Sequence, residues 1–194
     1  MAIEREGFGT PYSFCVPAVF PSARSNLPSG KCPALRDGEI AVWDSLAIIE
    51  YVAESTPDKP LWPKPRAARA QARSLAAEMH SGFMGLRGLL PVNMRRAVKR
   101  HELTPEASAD VARIEAAFKQ ARDAFGQAGS FLFGDFSGAD AMFAPVVNRL
   151  HVYDVAVTAA TRAYMDAMMA LPAWQDWSAQ AQAEPWTIGK YEVA

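Results

Sequence analysis

The chain has 194 residues, of which 50% are apolar and 21% charged, with a formal net charge of −1. This balance gives no electrostatic case for a nucleic acid or a membrane surface as partner, and no apolar run is long enough to span a bilayer. Cys15 and Cys32 provide neither a disulfide framework nor a zinc-ligand spacing. Because the N-terminus also lacks a secretory signal pattern, we expect a cytoplasmic globular protein without a metal.

The first 27 residues show no clean helix or strand pattern. Pro11, Pro17 and Pro21 interrupt any helix. The apolar stretch 14–20 contains Pro17, so we interpret it as an edge strand or a loop. A strand–helix–strand unit needs about 30 residues, and we therefore expect such a unit to be missing, shortened or altered in this part of the chain.

The next stretch is predicted to form a strand, a tight turn, a second strand and a helix. Asp37-Gly38 separates the apolar runs Cys32–Leu35 and Glu39–Trp43, and Asp-Gly at such a position favours a hairpin turn. Asp44-Ser45 then offers oxygen atoms that can cap a helix. The helix is indicated by apolar residues three and four positions apart: Leu46, Ile49, Val52 and Ala53.

Two features of this stretch favour the binding of a small peptide. Pro33 opens the first strand, where a proline is found at a sheet edge or with a cis peptide bond. A cis bond would turn the backbone of Cys32 outward, free to pair with an extended peptide. At the helix start, the hydroxyl of Ser45 and unpaired N–H groups form a site suited to a carboxylate.

The segments SGKCPAL and WDSLAIIEYVAE resemble the cis-proline segment and the acidic residue–Ser motif of the glutathione transferases. The resemblance implies glutathione as co-substrate and no metal. It implies that Cys32 and Pro33 bind the cysteinyl backbone of glutathione and that Asp44 and Ser45 hold its γ-glutamyl end. Lys31 is a weaker candidate for the glycyl carboxylate.

Residues 58–65 are rich in proline and predict a linker. After it, the periodicity from Arg66 to Leu90 predicts one long amphipathic helix that Pro91 ends or kinks. This segment resembles the first helix of the transferases' C-terminal domain, which lines the substrate cleft. The resemblance makes three polar residues candidates for a second-substrate pocket: His80, Arg87 and Asn93.

Further helix starts are clear from capping patterns. Thr104-Pro105-Glu106 places a hydroxyl, a proline and an acid at the beginning of a helix. Ser137 and Asp140 form a capping-box pattern, which in the resembled family organises folding rather than catalysis. Two more helices are expected between 156 and 183, separated at Pro172. The histidines are too scattered to indicate a metal enzyme.

The resemblance implies an α+β protein: a partial thioredoxin-like α/β N-terminal module followed by an all-α glutathione-transferase helical bundle. We expect the glutathione-binding module at 1–57, the linker at 58–65 and the helical domain at 66–194. The implied activity is conjugation or isomerisation of a small-molecule electrophile by the glutathione thiolate, in a possible homodimer.

The residue that would activate the glutathione thiol is left open by the sequence. In the resembled family it follows the first strand, where this chain offers Tyr12, Ser13 and Cys15. The simpler explanation is that all three are ordinary loop and edge-strand residues. The alternative function is therefore a non-catalytic transferase-like binding or scaffold protein, or the product of a truncated gene that lacks the thiol-activating segment.

Overall fold

The computed structural model describes residues 3–4, 13–15, 29, 33–185 and 187–192. The chain divides into two compact units, Met1–Pro60 and Leu61–Ala194, and each is described by itself. Within the described residues, no helix combines the length and the apolar character needed to cross a membrane.

The first unit contains four strands and one helix: β1 (Ile3–Glu4), β2 (Ser13–Cys15), β3 (Ala34–Asp37), β4 (Ile40–Trp43) and α1 (Ser45–Ser55). The second unit is helical and ends in a short 3₁₀ turn at Gly189–Tyr191. Its helices are α2 (Arg66–Ser81), α3 (Met84–Leu89), α4 (Pro105–Phe125), α5 (Gly138–Val152), α6 (Ala159–Met169) and α7 (Pro172–Ala183).

The strands form one sheet in the order β1-β2-β3-β4, with antiparallel neighbours throughout. The predicted hairpin is confirmed as β3–β4, but the turn lies at Gly38-Glu39, one residue later than expected, because Asp37 pairs with Ile40. Gly38 has a φ of 55°, a left-handed conformation that glycine adopts without a steric cost.

The interpretation of the first apolar stretch as an edge strand is wrong for its beginning. Ser13–Cys15 pairs with β1 on one side and with β3 on the other, with Phe14 opposite Leu35. The strand therefore lies inside the described sheet. Residues 16–20 lie outside the described part of the chain.

The single long helix expected from Arg66 to Leu90 is also corrected, because the structure breaks it into α2 and α3. Gly82 is extended and Phe83 is left-handed, with a φ of 57°. Tertiary contacts fix the break: Asp110 on α4 accepts a hydrogen bond from Leu86 N at 2.9 Å. A Cβ on Gly85 would lie 2.8 Å from the Glu106 carbonyl carbon, so only glycine permits this close approach of α3 and α4.

The start of α4 is confirmed: Thr104 accepts a hydrogen bond from Ala107 N, and proline occupies the first turn. The core of the helical unit is built from aromatic rings on three helices. Phe118 makes edge-to-face contacts with Phe143 at 4.9 Å and with Tyr164 at 4.8 Å between centroids. A small antiparallel sheet with one helix, followed by a helical bundle, confirms the α+β class.

Candidate functional site

The N-terminus of α1 is the most unusual backbone feature of the first unit. Asp44 caps the helix, accepting from Leu46 N at 2.9 Å, while its carbonyl accepts from Ile48 N. Its φ of 76° and ψ of 135° are rare for a residue with a side chain. Such a conformation costs on the order of 1–3 kcal/mol and is concentrated at functional sites.

Ser45 is the first residue of this helix and is half-buried. Within the described part of the chain, its hydroxyl has no hydrogen-bond partner. The first turn of α1 carries no acidic side chain, and the first N–H groups of any helix lack intrahelical acceptors. The partial positive charge at this end and the Ser45 hydroxyl together suit a carboxylate ligand.

The hairpin is hydrogen-bonded to the second half of helix α1. Tyr51, on α1, donates its hydroxyl hydrogen to Asp37 Oδ2 at 2.6 Å, and Ile48 is buried. Leu35, in β3, is 1% exposed, so β3 forms part of the apolar support. Pro33 is exposed directly before that strand.

For several candidate site residues predicted from the sequence, the structure does not describe the side chain. Lys31, Cys32 and Tyr12 lie outside the described residues. Ser13 and Cys15 belong to β2, of which the structure describes only the strand. The roles assigned to them therefore remain predictions.

Two of the three predicted second-substrate residues meet at the end of α2. The Arg87 guanidinium donates to the His80 carbonyl at 2.9 Å and to the Gly82 carbonyl at 3.2 Å. Because the last carbonyls of a helix lack intrahelical donors, Arg87 satisfies the end of α2. The side chain of His80 is exposed.

Asn93 occupies a different place, in a cavity that neither His80 nor Arg87 lines. The cavity has a volume of about 220 Å³ and lies between the segment after α3, helix α7 and the C-terminal segment. Asn93 Nδ2 donates to Glu192 Oε2 at 3.0 Å. Nothing local in the sequence indicates this cavity, since its walls are about 80 to 100 residues apart in the chain.

Ser137 and Asp140 form a capping box at the start of α5. Asp140 is fully buried and accepts from Leu132 N at 3.1 Å and from Ser137 N and Oγ at 2.8 Å each. Burial raises the pKa of the Asp140 carboxyl despite these donors. Burial also raises the pKa of the neighbouring Tyr164 hydroxyl, and the Asp140 charge acts in the same direction.

Arg149 is a buried cation that is held by carbonyl oxygens. Its Nε donates to Leu90 O at 2.7 Å, at the end of α3, and its Nη1 donates to Pro145 O at 3.2 Å. Burial lowers its pKa to about 10, with a smaller effect of the Arg87 charge. Arg149 remains protonated at neutral pH and joins α5 to the end of α3.

A metal centre has no ligand set in the part of the chain that the structure describes. There, no group of three or more His, Cys, Asp or Glu side chains is arranged to hold an ion. His101 instead packs edge-on against Tyr153, with 5.8 Å between ring centroids.

Comparison with known proteins adds sequence evidence. Residues 97–180 match the family model "Glutathione S-transferase, C-terminal domain". A Caenorhabditis elegans protein named a probable maleylacetoacetate isomerase is 43% identical over 63 residues, which are 32% of this chain and 29% of that protein. The match therefore spans less than a third of that relative.

Solved structures share the fold. A glutathione transferase homologue from Burkholderia gl BGR1, with bound glutathione, is 25% identical with a TM-score of 0.62, over 80% of this chain and 75% of that one. A glutathione S-transferase from Anopheles dirus has a TM-score of 0.64 at 18% identity, over 84% and 79% of the two chains. The helical unit thus matches the C-terminal domain of the glutathione S-transferases over residues 97–180, and the chain is similar in fold to solved transferase structures.

Proposed function

We propose that this protein binds glutathione at the hairpin–helix segment 33–55 and conjugates or isomerises a small electrophile with the glutathione thiolate. The match of residues 97–180 to the transferase C-terminal domain supports the proposal, as does the similarity to the Burkholderia homologue, whose structure contains bound glutathione. In conjugation, the thiol loses its proton, and the thiolate sulfur forms a bond to an electrophilic carbon; either a leaving group departs from that carbon with its electron pair, or a π bond opens and its other end takes up a proton. In isomerisation, that bond forms transiently and breaks again, which releases the thiolate.

The observation that carries the proposal is the start of α1. The γ-glutamyl end of glutathione bears a carboxylate and an ammonium group. The carboxylate fits the Ser45 hydroxyl and the first N–H groups of the helix, and the ammonium fits the Asp44 carboxylate. The strained conformation of Asp44 keeps this acid beside the helix terminus.

The remaining contacts of glutathione are assigned from the resemblance of the segment SGKCPAL to the family's cis-proline segment. The proposal assigns its cysteinyl main chain to the backbone of Cys32, ahead of Pro33, and its glycyl carboxylate to Lys31. Either Tyr12, Ser13 or Cys15, or a residue outside this set, would lower the thiol pKa so that the thiolate forms near neutral pH.

The helical domain, at 66–194, would supply the electrophile pocket. His80, Arg87 and Asn93 remain its polar candidates. Because the Arg87 guanidinium donates to the carbonyls at the end of α2, we expect it to act by shaping the wall of the pocket. A cytoplasmic location and a homodimer are parts of the same proposal, and ultracentrifugation tests the latter.

A non-catalytic binding protein is the second candidate, and the sheet favours it. Every pair of described strands is antiparallel, in sequential order. A parallel strand pair needs a crossover of a dozen or more residues, and only residues 5–12 separate β1 from β2. The eight residues 5–12 are shorter than such a crossover, and this short separation supports the non-catalytic candidate.

Calorimetric titration with reduced glutathione tests the binding site. We expect Ser45→Ala to weaken binding roughly tenfold, because a hydrogen bond to a charged group contributes about 1.5–3 kcal/mol. Ser55→Ala is the matched control, since Ser55 lies at the other end of the same helix, where its hydroxyl donates to Tyr51 O. Equal affinities of the two variants would contradict the assigned site.

Turnover separates the two candidates. The wild-type protein and glutathione are mixed with a chlorodinitrobenzene electrophile, and thioether formation is followed by absorbance. Binding with turnover supports the transferase, whereas binding without turnover of this or other electrophiles supports the non-catalytic protein. Failure of the folded protein to bind glutathione would overturn the transferase and favour a non-catalytic scaffold protein.

A further inference from the structure

One side of an open cavity in the helical unit is formed by described residues near the C-terminus: Glu184, Ile188, Tyr191 and Glu192. Of these, Glu184 and Glu192 are hydrogen-bonded to the loop after α3. Arg95 Nη1 donates to Glu184 O at 3.0 Å and Nη2 to Thr187 Oγ1 at 3.2 Å. Its Nη2 also lies 3.8 Å from Glu192 Oε1. These polar contacts join the C-terminal residues to the loop without filling the cavity.

Part of the cavity wall is apolar and aromatic. Trp177, Ile188 and Tyr191 line it, and they are 38%, 36% and 41% exposed. Trp177 is held in place by an edge-to-face contact with the buried Trp174, with 5.5 Å between ring centroids. The cavity thus presents positioned aromatic surface to solvent, which is the usual lining of small-molecule sites.

The described residues that line the cavity carry more negative than positive charges. Its charged lining residues, among those that the structure describes, are Arg95, Glu184 and Glu192. The ion pair of Arg95 with Glu192 offsets one carboxylate. The carboxylate of Glu184 has neither an ion-pair nor a hydrogen-bond partner in the described residues, so the rim retains a negative charge.

We propose that this cavity binds a small aromatic amine, with its ring against Trp177 and its ammonium group at the Glu184 carboxylate. An exposed carboxylate attracts a cation, and the faces of Trp and Tyr rings favour a cation as well. A volume of about 220 Å³ accommodates a compound of one or two fused rings. The inference goes beyond the proposed glutathione chemistry. Asn93, a candidate for the electrophile pocket, also lines this cavity, but amine binding is measured without glutathione and is tested separately from turnover.

Three probes with the same ring system test the proposal: tryptamine, a cation; indole, which is neutral; and indoleacetate, an anion. Binding to the full chain is measured by calorimetry without glutathione. We expect tryptamine to bind roughly fivefold more tightly than indole, the gain that an exposed ion pair provides at its upper range. Indoleacetate should bind most weakly.

Variants locate the site. Glu184→Gln should reduce tryptamine binding to the level of indole and leave indole unchanged, and Trp177→Ala should weaken both. Glu102→Gln is the matched control, because Glu102 is an exposed acid that does not line the cavity. The proposal is overturned if tryptamine fails to bind at millimolar concentration, if indoleacetate binds best, or if Glu184→Gln has no effect on tryptamine.

Discussion

The starts of α1 and α5 use the same two residue types, a serine and an aspartate, in opposite ways. At α5, Ser137 and Asp140 are buried, and the carboxylate accepts three hydrogen bonds from the protein itself. At α1, Asp44 and Ser45 are half-buried, and Asp44 is held in a strained conformation. A closed cap stabilises the fold, whereas an open one leaves donors for a ligand.

Removing the buried acid should have the largest effect. Asp140→Ala leaves three buried donors without their acceptor, so we expect the free energy of unfolding to fall by about 3 kcal/mol. Urea denaturation at neutral pH measures this loss. Asp135→Ala is the control, because Asp135 is exposed in the same loop. A loss below about 1 kcal/mol would show that the box is not an important part of folding.

Arg149 stabilises a helix C-terminus, because its guanidinium donates to Leu90 O at the end of α3. Arg149→Met removes the hydrogen bonds to Leu90 O and Pro145 O, and we expect a loss of about 2 kcal/mol in the free energy of unfolding, again by urea denaturation. Arg162→Met is a matched change on α6, at a residue that is less buried. Similar losses for both variants would contradict the structural role of Arg149.

The buried box should also give the stability a pH dependence. Because burial raises the pKa of Asp140 above its ordinary value of 3.8, the folded state holds this proton more tightly than the unfolded state. Its contribution is full below the unfolded pKa and declines as pH rises through the folded pKa. The unfolding free energy of the wild type minus that of Asp140→Asn should therefore fall as pH rises. An increase of this value with pH would contradict the raised pKa of Asp140.

The open cap should show the smallest effect on stability. Asp44→Gly removes a cap but relieves the left-handed strain, so we expect the free energy of unfolding to change by less than about 0.5 kcal/mol. Glutathione binding, in contrast, should weaken roughly tenfold with the loss of the carboxylate. Asp58→Gly, in an exposed turn, is the control for both measurements. An unchanged affinity of Asp44→Gly for glutathione would show that Asp44 does not contact the ligand.

Local chemistry explains which parts of the fold could be predicted from the sequence. The β3–β4 hairpin and the start of α4 depend on residues a few positions apart, such as Asp37-Gly38 and Thr104-Pro105, and both were predictable. The break at Phe83 was not, because the apolar period continues through it. That break is fixed by contacts with α4, which lies more than 20 residues further along the chain.

For the candidate sites too, only features that depend on residues close together in the sequence could be predicted. Asp44 and Ser45 were identifiable because a helix start has a local signature, although the positive φ of Asp44 has none. The cavity near Asn93 could not be found in this way. Its walls come from the loop after α3 and from residues 177–192, so only the folded chain brings the aromatic residues and the carboxylates together.

The carbonyl partners of Arg149 have a consequence for how the protein responds to dissolved salt. Mobile ions screen the attraction between exposed opposite charges, such as Arg113 and Glu78, which lie 2.7 Å apart at the surface. Arg149 is attached instead to uncharged dipoles in the interior, where mobile ions do not penetrate. The contribution of the α3–α5 contact to stability should therefore change little between low and high salt concentration. The contribution of the surface ion pairs should decrease as the salt concentration rises.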